Sequence, residues 1–145
     1  MYHHILIGLN QSDAAHRALL QAIHLASNFN ATLTAMAVTP ALPLYAAYAV
    51  AAGPEALQIM ERDQQTSFAE LLETARSEAA QHAIKIETVL SDGPVVVSLF
   101  EAVQTNHIDL LVLGINPNQD LLGWPSGSIA HELAVRVPCD VLGVH

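Results

Sequence analysis

The sequence predicts an α/β fold: a single-domain, open, parallel five-stranded sheet with helices on both faces. Three observations carry that expectation. Short apolar runs alternate with segments whose apolar residues recur every three or four positions, the order of repeated strand–helix units. The strand runs are mostly apolar throughout, as strands covered on both faces are. Finally, 145 residues with 52% hydrophobic and 13% charged side chains suit one compact body rather than a disordered chain.

Each element has its own warrant. His4 to Leu9 is an apolar run stopped by Gly8-Leu9-Asn10, a buried strand. Gln11 or Ser12 then caps a helix whose apolar face is Ala15, Ala18, Leu19, Ala22, Ile23 and Ala26. Asn28 or Asn30 suits the left-handed residue that ends it. Thr32 to Val38 is the second strand, halted by Thr39-Pro40. The Ala-rich stretch from Ala41 to Gly53 admits two readings, a loop or helical turn packed on the body and an apolar flap over a ligand or partner.

Pro54 suits the first turn of a long amphipathic helix marked by Leu57, Met60, Phe68, Leu71, Leu72, Ala75 and Ala79. Ile84 to Leu90 is the third strand, and Ser91-Asp92-Gly93-Pro94 the turn after it. Val95-Val96-Val97 favours a strand by β-branching, but Val96, Leu99, Phe100 and Val103 have helical spacing, which predicts a helix. Asn106 ends that helix and Asp109 leads the fourth strand, Leu110 to Leu113, which stops at Gly114. A polar loop follows, Gly127-Ser128 opens a short helix from Ile129 to Val135, and Val141 to Val144 forms the last strand.

Charge narrows the function classes. Fourteen acidic and five basic side chains give a formal charge of -9, and the basic ones are scattered. Such a body repels nucleic-acid backbones and anionic membranes, so neither is an expected partner. Cys139 is the sole cysteine, which precludes an internal disulfide and fits a reducing, cytoplasmic setting. The opening M-Y-H-H-I-L-I-G has neither a charged n-region nor a long apolar core, so no secretory signal is expected.

The common catalytic signatures are missing. No G-x-x-x-x-G-K-[ST] loop occurs, and the turn G-L-N-Q-S-D is not G-x-G-x-x-G. His131-Glu132 begins like a zinc-protease helix, but Val135 stands where the second histidine belongs. In Gly123-Trp124-Pro125-Ser126-Gly127 a proline occupies the nucleophile position of a hydrolase elbow. The eight histidines show no ligand spacing, and no basic neighbour activates Cys139. No catalytic residue and no metal site is therefore expected.

What remains is the order strand, Gly-bearing loop, Gly-Ser at a helix start, which leaves backbone N–H groups free to meet an anion. A plain helix cap would look the same. Here the chain resembles the universal stress protein family from end to end. An I-L-V-A-V-D-G-S-like opening is matched by Ile5 to Ser12, and D-L-I-V-M-G by Asp109 to Gly114. G-S-V-A-E is matched by Gly127 to His131, and P-C-P-V-L-V-V by Pro138 to Val144.

The resemblance implies one universal stress protein domain over 1–145, strand order 3-2-1-4-5, and a crevice between the first and fourth strands. It also implies a non-catalytic regulator that binds an adenine nucleotide, ATP or AMP, the triphosphate with Mg²⁺. By motif matching, Asn10 and Val38 would meet ribose and adenine, Leu9 would belong to the same nucleotide site, and Gly114 would stay close to the sugar. Pro117, Gly127, Ser128 and Ile129 fall at the phosphates. The family's G-x-x-G, nine residues, G-[ST] spacing is kept, but Pro117 replaces its second glycine and Asn10 its aspartate. Proline offers no N–H, and the loss of one hydrogen bond to phosphate costs roughly 1.5–3 kcal/mol. An ATPase is the least favoured reading. The alternative is a dimeric interaction module without nucleotide, because the family pairs through its last strand, here Val141 to His145.

Overall fold

The computed structural model describes residues 1–39, 51–115 and 128–145, so most of the Ala-rich stretch and most of the polar loop lie outside the described residues. Five parallel strands stand in the order 3-2-1-4-5: β1 His4–Leu9, β2 Thr32–Thr39, β3 Ile86–Asp92, β4 Leu110–Gly114 and β5 Asp140–Val144. Between them run α1 Asp13–Phe29, α2 Pro54–Gln81, α3 Val95–Thr105 and α4 Ser128–Arg136. Ile5 of β1 pairs with Leu33 of β2 on one side and Leu110 of β4 on the other. The chain thus moves outward from β1 to β3, returns to the other side of β1 at β4, and leaves a crevice where the direction reverses.

Alternation along the central strands builds two cores. Ile5, Ile7, Leu33, Ala35 and Val112 pack under α1 and α2. Leu6, Met36, Val38, Leu111 and Leu113 pack on the other face with Leu99, Val103 and Leu133 of α3 and α4. The α1 face is largely alanine (Ala14, Ala15, Ala18, Ala22 and Ala26 are all buried), so its backbone can lie close to the sheet. Ser12 caps α1 by accepting from the Ala15 N–H, and Asn30 closes it at φ 52°, satisfying the carbonyls of Ala26 and Ser27.

Two expectations are corrected. The third strand runs over Ile86–Asp92 rather than Ile84 to Leu90. Ala83, at φ 56°, and the Ile84 N–H, which donates to Ala79 O at 2.9 Å, belong to the end of α2. Ser91 and Asp92, read as a turn, instead pair with Val38 and Thr39, and Gly93 at φ 115° makes the turn. Leu57 and Met60 are only half-buried, whereas Phe68, Leu72, Ala75 and Ala79 are buried. At 28 residues α2 is about 42 Å long, far more than any strand beneath it, so its first turns overhang the sheet.

Candidate functional site

A cleft of about 380 Å³ opens at the C-terminal ends of β1, β2 and β4. Parallel strands turn their C-terminal ends toward one edge, so the reversal of chain direction brings the β1–α1 turn, β4 and the start of α4 to the same place. Leu9, Asn10, Val38, Gly114 and Ile129 all line it, so five of the eight predicted site residues come together. Ser128 is the first residue of α4. Pro117 and Gly127 lie outside the described residues.

The floor is apolar. Met36 and Val38 from β2, Phe68 from α2, Leu99 from α3 and Leu113 from β4 contribute it. Residue spacing put Phe68 and Leu99 on buried helix faces, and no local signal links either to the crevice. Gln11 and Ser12 supply the polar rim beside Asn10. Their place in the turn after β1 was legible, but not their exposure to this cleft.

The turn is tightly organised. The Ser12 N–H donates to Asn10 Oδ1 at 2.9 Å, and the Ser12 hydroxyl donates to the same oxygen at 2.6 Å. The Ser12 hydroxyl oxygen in turn accepts from the Ala15 N–H at 3.1 Å. The amide orientation follows: Oδ1 must face the Ser12 donors, which turns Nδ2 away as the side chain's remaining polar group. Gln11 Nε2 reaches across to the Ser67 hydroxyl at 3.2 Å and ties the turn to α2.

Gly114 has a packing reason to be glycine. An added Cβ would lie 2.5 Å from the Ala14 carbonyl carbon and against the Ala15 nitrogen, inside the backbone of α1. The residue that motif matching assigns to the sugar is thus also where the α1 backbone leaves no room for a side chain on β4.

Among the described residues, none of the side chains lining the cleft is a carboxylate, imidazole, thiol, amine or guanidinium. The eight histidines are all exposed. Cys139 is half-buried next to β5, and burial pushes its thiol up, away from the reactive thiolate. Among the described residues no group of three or more His, Cys, Asp or Glu side chains could hold a metal ion. Asn10 Oδ1 already accepts two hydrogen bonds from Ser12, and the other side-chain oxygens of the described wall, on Gln11 and Ser12, are neutral. The described wall fits an apolar ring with a polar edge and does not fit Mg²⁺.

Fold and cleft together define a doubly wound α/β domain with a cleft at the switch point of its sheet. The model of the Universal stress protein family matches residues 1–145, and the chain belongs to that family. It is 23% identical over 145 residues to universal stress protein YxiE of Bacillus subtilis (strain 168), covering 98% of each chain. A universal stress protein solved in complex with cAMP is 26% identical, with a TM-score of 0.68 over 99% of this chain and 97% of that one. A family protein from Arabidopsis thaliana with AMP bound is 14% identical, with a TM-score of 0.70 over 98% and 90%. Among the described residues no helix is long and apolar enough to cross a membrane.

Proposed function

We propose that this chain is a cytoplasmic stress-response regulator that binds an adenine nucleotide in the cleft between β1 and β4 without turning it over. One observation carries the reading: Asn10, Val38, Gly114 and Ile129, from four separate elements, line a single cleft at the switch point of the sheet. The apolar floor suits a purine, and the first-turn N–H groups of α4 are free of intrahelical partners and suit a phosphate. The cAMP and AMP held by related structures support the adenine assignment. The want of an acid, base or nucleophile along the described wall supports binding without turnover. The reading extends to assembly as a homodimer through the β5 edge and His145.

The test is thermal unfolding. AMP or ATP should raise the melting temperature, and the double variant Gly127→Val, Ser128→Ala should abolish the rise. No shift with any adenine nucleotide, with or without Mg²⁺, would leave the second reading, an interaction module. That reading is favoured by the internal roles of Gly114 against α1 and of Asn10 toward Ser12, neither of which requires a ligand.

A further inference from the structure

The nucleotide reading leaves open how many phosphates the ligand carries and whether a metal comes with it. The described wall speaks to both. All five cationic side chains stand outside the cleft lining. Arg17 donates from Nε to the His145 carbonyl at 2.8 Å, and Arg76 is held by Glu73 at 3.2 Å. Arg136 is held by Glu132 at 2.9 Å, with its guanidinium 5.6 Å from the Phe100 ring centre. Lys85 precedes β3 at the opposite end of the sheet, and Arg62 is exposed on α2.

The surroundings are acidic instead. Asp13 is exposed directly after the lining residue Ser12. The body as a whole carries a formal charge of -9. A helix start supplies roughly half a positive charge, enough to favour one phosphate but not a chain of three. Multiply charged ligands ordinarily solve this with Mg²⁺, which needs oxygen ligands. Asn10 is a poor ligand, because its Oδ1 already accepts two hydrogen bonds from Ser12 and its free atom is Nδ2, a donor; the remaining side-chain oxygens of the described wall, on Gln11 and Ser12, carry no charge to hold a divalent ion. At about 380 Å³ the cleft also sits near the small end of ligand sites, which begin at roughly 300 Å³.

We infer that the cleft selects adenine ligands carrying at most one phosphate, free or cyclised, binds them without metal, and owes that selectivity to Asn10 and the uncharged wall. The inference rests on the nucleotide reading above and adds the ligand's charge class. An aspartate at position 10 would still accept from Ser12 and would add a negative charge for a cation; asparagine keeps the turn and discards that charge.

Isothermal titration of the full chain with adenosine, cAMP, AMP, ADP and ATP, each with and without Mg²⁺, tests it. Affinity should fall by about tenfold with each phosphate beyond the first. The loss should shrink in high salt, which screens the repulsion, and Mg²⁺ should change it by less than about twofold. ATP binding as tightly as AMP, with or without Mg²⁺, overturns the inference and leaves the nucleotide reading intact. Failure of all five compounds to bind overturns both. In Asn10→Asp, Mg²⁺ should tighten ATP binding by at least about tenfold; an ATP affinity still indifferent to Mg²⁺ removes Asn10 from the account.

Discussion

At Gly114 the nearest backbone atoms to an added Cβ belong to α1, with the Ala14 carbonyl oxygen at 2.7 Å. Those atoms cannot swing aside as a side-chain terminus can, so Gly114→Ala must push the helix off the sheet. The expected cost is about 1–3 kcal/mol, read as a lower urea midpoint at unchanged slope. An unmoved midpoint would mean that α1 has slack here. Asn10 was legible as a polar residue at a strand end, and the family resemblance implied a place for it at the ribose. That its oxygen is spent on Ser12 was not legible, because the direction of an amide depends on the geometry of the turn around it.

Among the elements, β1 and β4 are joined at their lower ends by a carboxylate. Asp109 accepts from the His3 and His4 N–H groups at 2.7 and 3.0 Å. Burial alone pushes its carboxyl up, but the two backbone donors and then the two imidazoles outweigh that, and the net is below the usual carboxylate range. A depressed value means stability fully present above the unfolded-state value of about 3.9 and lost as pH falls through the folded one. Asp109→Asn should therefore lower the urea midpoint at neutral pH, and the gap to the parent should narrow steadily below about pH 4. A gap independent of pH would rule out the carboxylate's charge as the cause. The spacing of Leu110 to Leu113 showed β4 plainly, yet the shift of β3 by two residues was invisible. It depends on how α2 ends at Ala83, a left-handed residue with no sequence mark such as glycine.

For the whole molecule, β5 is an edge strand with no lysine, and its Val141, Leu142 and Val144 are half-buried against the two cores. The apolar side chains are therefore largely used within the chain, and what the edge offers a second copy is mainly its backbone hydrogen-bonding row. A homodimer through that edge predicts a light-scattering mass of twice 15.5 kDa at micromolar concentration. A mass of one chain throughout that range would discard the assembly. Charge repulsion between two bodies of -9 opposes pairing, so the dimer should strengthen as salt is raised.

By itself the sequence determined the strands, the helices and the parallel α/β class, because those follow from local periodicity and from caps such as Ser12 and Asn30. It also carried the family through ordered motifs along the chain. The tertiary structure alone decided that Phe68 and Leu99, on helices packed against opposite faces of the sheet, share one cleft with Asn10. It alone decided that Gly114 is required by α1 and that none of the five cations lines the cleft. Periodicity records which face of an element is buried; which elements meet at the end of a sheet, and what charge they leave there, arises only when the strands are placed side by side.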